Sequence, residues 1–182
     1  MQDLAGVAIG VGYHSGSHFS ALQALAPYFP VEAIQLAFLG GPIDRLDLLV
    51  AGKIPTAHLF TTEMYVAEQL GCRRILDTTF MMGFLVSADS DREDIEKYFR
   101  ALRRAQRDID AEPERYKHYY RKELPEHYHA QVDVQAFGPG ERLVFEPYTR
   151  EVFEATHRWM VDLQIFPQEQ MGNRDYAQAV LV

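Results

Sequence analysis

The sequence predicts an α/β fold: a three-layer lobe with a mainly parallel sheet, followed by C-terminal helices. Short apolar runs alternate with stretches of helical spacing as far as Thr78, which is the pattern of consecutive βαβ units. The first run, Val7-Ala8-Ile9-Gly10-Val11, is almost wholly apolar, as a strand covered on both faces has to be. Past about residue 88 the alternation stops and long charged helical stretches take over. The expected division is therefore 1–88 for the α/β lobe and 89–182 for a helical return segment that packs on this lobe or on a partner lobe.

After the first strand, Tyr13-His14-Ser15-Gly16-Ser17 switches to turn-forming residues, and Phe19, Leu22, Leu25 and Ala26 then recur at helical spacing. Ser15 or Ser17 suits an N-cap, whose hydroxyl satisfies an orphan N–H. Free N–H groups at the positive end of a helix, beside a glycine that permits close approach, also form an anion cradle. Capping alone would explain the same residues. The pattern continues with a strand over 33–39, a helix over 44–52, a short strand over 56–60, and a helix over 63–70 that Gly71 stops as a C′ glycine does. Arg74-Ile75-Leu76-Asp77-Thr78 reads as a fourth strand and Gly83-Phe84-Leu85-Val86-Ser87 as a last one. A charged helix follows from Ser90-Asp91-Arg92-Glu93 to about Asp110, with a mostly apolar stripe of Ile95, Phe99, Leu102, Ala105, Gln106 and Ile109. Further helices are expected over 112–122 and 148–163, the latter carrying Trp159 and Met160.

At 182 residues and 47% hydrophobic, the chain can bury a sizeable core. A formal charge of −8 argues against nucleic acid or an anionic membrane surface as the main partner, since both reward a basic face. No apolar run is long enough to span a bilayer, and Met1-Gln2-Asp3-Leu4 has neither the basic nor the apolar region of a secretion signal. The chain is expected to be soluble.

Sharper motifs are weak. Gly10, Gly12 and Gly16 make a GxGxxxG spacing at a strand-to-helix turn, but the next strand ends in Gly40-Gly41-Pro42 and not in the acid that a dinucleotide-binding unit places there. No serine has the two flanking glycines of a nucleophile elbow. Cys72 is the sole cysteine, which rules out an intrachain disulfide or a CxxC site and reads as a small core residue. His14 and His18, or His127 and His129, lack a clear third and fourth ligand. No metal and no cofactor is expected. In a parallel sheet, ligands collect at the carboxyl ends of the strands, and here those ends carry residues 13–17, 40–42, 60–63 and 78–82.

The order of segments resembles the type II periplasmic solute-binding proteins of ABC importers, in the branch that carries sulfonates, nitrate, taurine and thiamine-pyrimidine precursors. LAGVAIGVGYHSGSHFSALQAL is similar to the family's opening of its second lobe. LDLLVAGKIPTA is similar to its "AL-x-x-G-x-[IV]-D-A" segment, and AEQLGCRRILD to the approach to its next strand. The C-terminal part, from ADSD to THRWMVDLQIF, is similar to its closing helices. Thr56 stands where the family often has an acid. The resemblance implies a second lobe plus its return segment, in a family whose first lobe and signal peptide lie upstream of the segment that begins at Leu4.

It further implies a periplasmic or extracytoplasmic protein that binds a small solute, an organic anion such as a sulfonate or a pyrimidine-like compound, for delivery to the membrane subunits of an importer. Ser15, Gly16 and Ser17 would then supply N–H and hydroxyl donors, Tyr13 and His14 would wall the pocket, and Thr61 and Thr62 would contact the solute. Glu63 would bind a cationic or donor group, or else serve its own helix dipole. The same resemblance covers enzymes, desulfinase-like or pyrimidine-synthase-like, and a third alternative is a non-binding interaction module. A lone lobe would also associate with itself through Trp159, Met160 and the exposed C-terminal helices.

Overall fold

The computed structural model describes residues 4–80, 82–87, 89–167, 169 and 175–180. Three strands form an all-parallel sheet in the order β2-β1-β3. Strand β1 (Ile9–Val11) is central, with β2 (Leu36–Phe38) on one side and β3 (Thr56–Ala57) on the other. Ile9 sits opposite both Leu36 and Thr56, and Gly10 opposite both Ala37 and Ala57. All three residues of β1 are buried, in keeping with the apolar run that forms it.

Each strand is followed by a helix. Helix α1 (Gly16–Leu25) buries Ser17, Ser20, Ala21, Leu22 and Leu25, a stripe at helical spacing. Helix α2 (Pro42–Val50) begins on a proline, which fits the first turn because its missing N–H has no intrahelical partner there anyway. Asp44 reaches back to accept the Gly41 N–H at 2.8 Å. Helix α3 (Thr61–Gln69) ends just before Gly71 at φ +93°, and the Cys72 N–H closes onto the Ala67 carbonyl at 2.9 Å.

The expected fourth and last strands are absent among the described residues: 74–78 and 82–87 pair with no strand. A strand needs a partner edge, and β3 is only two residues long. Residues 55–59 and 72–78 line a cavity of about 400 Å³ in common. The nearer segment is held by side chains instead. Arg74 forms a two-pronged pair with Glu68, both bonds at 3.0 Å, and Thr78 Oγ1 lies 3.1 Å from His58 Nε2. Residues 82–87 are exposed throughout, with Leu85 fully so.

Helix α4 (Arg92–Ala111) is capped by Asp91, whose carboxylate accepts the Glu93 N–H at 2.7 Å. It buries none of its residues fully; Ile95, Phe99, Leu102 and Gln106 of the expected stripe are half-buried, and Ala105 and Ile109 are exposed. The single helix expected over 112–122 is broken into α5 (Pro113–Tyr116), a 3₁₀ turn (Lys117–Tyr119) and α6 (Tyr120–Glu123). From there an irregular stretch brings Leu124, Tyr128, Val132, Val134 and Phe137 against Leu46, Val66 and Ala67 to form one core. A second core joins Ile9 and Val11 of β1 to Ala21 and Leu25 of α1.

The chain divides into two units, 1–82 with 86–143, and Gly83–Leu85 with 144–182. The smaller unit holds α7 (Arg150–Asp162) and α8 (Tyr176–Ala179), joined by Arg150 to Asp175 at 2.9 Å and by the Tyr176 hydroxyl donating to the Tyr148 carbonyl at 2.6 Å. No residue of α7 is fully buried, and Trp159 and Met160 are half-buried. No described helix is long and apolar enough to cross a membrane.

Candidate functional site

The site is built where β1 ends and α1 begins. His14 adopts a left-handed φ of +49°, a conformation histidine tolerates better than most residues, and the chain reverses there. Ser15 is the N-cap residue of α1, yet its side chain makes no capping bond. Its hydroxyl donates to the Gly12 carbonyl at 2.8 Å. The Ser17 hydroxyl accepts the Gly12 N–H at 2.9 Å and lies 2.7 Å from Ser15 Oγ. A hydroxyl carries one proton, so with Ser15 committed to Gly12, Ser17 donates to Ser15. Both serine protons are spent in clipping the loop together, and Ser17 is fully buried.

What the loop leaves free is backbone. The Gly16 and Ser17 N–H groups, the first two of α1, have no acceptor among the described residues. Tyr13 and His14 are exposed and stack on each other, ring centres 3.9 Å apart, with Tyr13 also edge-on to Phe38 at 4.9 Å. They form an aromatic wall beside the loop. The space next to the Gly16 α-carbon is not empty: a Cβ there would lie 2.7 Å from the Phe80 ring. Glycine at this position admits Phe80.

Sequence reading missed two residues at this edge. Arg45 of α2 is 1% exposed. Its Nε donates to the His58 carbonyl at 3.0 Å and its Nη1 to the Gly40 carbonyl at 2.6 Å, bridging the segments that leave β3 and β2. Nη2 is buried with no partner among the described residues. Burial pulls the guanidinium below its usual pKa, partly offset by the charges of Glu63 and Asp44. The available signal was a charged residue sharing a helix face with Leu46 and Leu49. The second residue, His58, has Nε2 2.8 Å from Ser20 Oγ and a buried Nδ1 without a partner among the described residues. Burial first, and the Arg45 charge second, push its pKa down to about 4.

Thr61 opens α3 and is half-buried. Thr62 is buried and donates to Glu123 Oε2 at 2.8 Å, so its hydroxyl is engaged with α6. Glu63 is half-buried; burial raises its pKa, its own backbone N–H opposes that, and the charges of Glu123 and Glu141 add to the rise. The structure thus gathers residues 13–17 into one loop and sets Thr61, Thr62 and Glu63 at the start of the helix after β3. None of these eight lines the 400 Å³ cavity, whose walls combine apolar residues with the charged Glu68, Arg73, Arg74 and Asp77 and the polar Thr56, His58, Cys72 and Thr78.

Other motifs resolve locally. His14 and His18 stack at 5.8 Å, while His127 faces Asp47 at 3.3 Å beside the Tyr128 hydroxyl, which donates to the same carboxylate at 2.6 Å. Among the described residues no group of three or more His, Cys, Asp or Glu converges. No protein-family model, no curated protein and no solved structure matches this chain.

Proposed function

We propose that this chain binds a small solute without altering it, at the carboxyl edge of its parallel sheet, as one lobe of a type II periplasmic-binding-protein-like fold. The observation that carries the reading is the pair of N–H groups at the start of α1, on half-buried Gly16 and buried Ser17, that have no acceptor among the described residues, beside hydroxyls that have no protons left to give. A helix start of this kind favours an anion or an amide-like acceptor, and its place at the strand ends is where α/β folds collect ligands. The resemblance in sequence extends the proposal to an organic anion or pyrimidine-like solute delivered to an ABC importer outside the cytoplasm.

Binding is favoured over catalysis by the state of Ser20, the serine that lies against a histidine. Ser20 is 6% exposed and its hydroxyl donates to the Gly16 carbonyl at 2.6 Å. His58 Nδ1 has no carboxylate to orient it, so the pair lacks the third member that readies a serine for attack. Titration calorimetry with methanesulfonate, nitrate, acetate and an aminopyrimidine tests the proposal. Saturable one-to-one uptake is expected; Ser17→Ala, whose hydroxyl is spent inside the loop, is expected to cost about 1 kcal/mol of stability and to remove no contact to the solute. Conversion of any bound compound, or no heat from any of the four, overturns it.

A further inference from the structure

We propose that Arg45 anchors the acidic group of the solute, which makes that solute a singly charged oxyanion, a carboxylate or a sulfonate; the inference rests on the reading that the Gly12–Ser17 loop is the binding site. A buried guanidinium needs its charge met. Arg45 has only neutral carbonyls, those of His58 and Gly40, within bonding distance, and no carboxylate lies within 4.0 Å of it among the described residues. Its Nη2 has no acceptor among the described residues.

The position of this cation matches the loop. Gly40 follows β2, His58 follows β3 and Gly12 follows β1, and a Cβ on Gly12 would lie 3.3 Å from Arg45 Nη1. The guanidinium therefore lies at the carboxyl ends of all three strands, beside Gly12 at the start of the loop that leads to the Gly16 and Ser17 N–H groups. The first turn of α1 holds no acidic residue. A carboxylate or sulfonate has two or three oxygens to share between a guanidinium edge and a helix start, and charge-assisted bonds of this kind are the strong ones.

Charge also limits the ligand. Asp44 is turned back onto the Gly41 N–H at 2.8 Å, while Glu63, at the start of α3, adds a negative group within electrostatic range of Arg45. One buried cation and one helix start supply about +1.5 charges, and Glu63 reduces that, so the site disfavours a doubly charged phosphate more than a singly charged carboxylate or sulfonate.

The test is NMR of the whole chain, titrated with acetate, methanesulfonate, inorganic phosphate and neutral acetamide. The Gly16 and Ser17 amide signals report the site, and the Arg45 guanidinium nitrogens report the anchor. Acetate and methanesulfonate are expected to move both sets together and to saturate. Arg45→Lys, which keeps the charge and loses the fork, is expected to bind them about tenfold more weakly while retaining its dispersed spectrum. Amides that respond while the Arg45 signals stay still overturn the anchor and leave the binding site standing. If neither set responds, both readings fail. A response to phosphate or acetamide equal to that to acetate removes the restriction to monoanions. The wild-type spectra decide the matter even if the lysine variant does not fold.

Discussion

His58 is expected to make this protein acid-sensitive by a calculable amount. The ring lies between Ser20 and Thr78, its Nδ1 is buried without a partner, and its own carbonyl accepts from the Arg45 guanidinium. The folded state therefore holds it neutral down to a pKa of about 4, against an ordinary 6.5 in the unfolded chain. Where the folded pKa is depressed, the unfolded chain takes up the proton first, so stability falls as pH drops through that window and levels off below it. At about 1.4 kcal/mol per unit of pKa difference, the full effect is about 3 kcal/mol, of which between about 2 and 3 is expressed by about pH 4.5. Urea unfolding of the wild type and of His58→Gln at about pH 7.5 and about pH 4.5 measures it. Glu63 titrates with the opposite sign, since its raised pKa favours the folded state on acidification, but it is present in both proteins and cancels in the comparison. The wild type is expected to lose between about 2 and 3 kcal/mol more than the variant. Parallel pH profiles would refute the account of a buried, neutral His58 beside a buried cation.

Two further outcomes are expected. Gly16→Ala places a methyl group against the Phe80 ring and should cost about 1 to 3 kcal/mol, as overpacking does; in a Phe80→Ala background the same change should cost much less, and equal costs in a double-mutant cycle would show that the ring does not rest there. The unburied apolar residues of α4 and α7, among them Phe99, Leu102, Trp159 and Met160, should drive reversible self-association. Sedimentation across a wide concentration range checks this, and a monomer throughout counts against it.

Local chemistry was legible wherever one short stretch decides its own conformation. The apolar run around β1 and the glycine after α3 act through neighbours a few residues away, and those elements are found where the residues place them; α2 starts two residues earlier than expected, on Pro42, and α4 starts after Asp91 as its cap. The turn at 12–17 was legible for the same reason, as a loop that opens a helix. What its serines do was not: an N-cap reading gives their hydroxyls to the helix, whereas the fold spends them on Gly12 and on each other. The missing fourth strand has a similar cause. Residues 74–78 have strand composition, but a strand exists only where an edge receives it, and β3 offers two residues beside a cavity. The core formed by 124–137 carries no period at all, because 3₁₀ turns and loops bury side chains by position and not by repeat. Arg45 and His58 mark the limit most clearly. In sequence they are two polar residues on apolar elements; only the packing of α2 beneath three strand ends makes one an unpaired buried cation and the other a histidine that cannot hold its proton, because burial and distance between charges are properties of the folded chain alone.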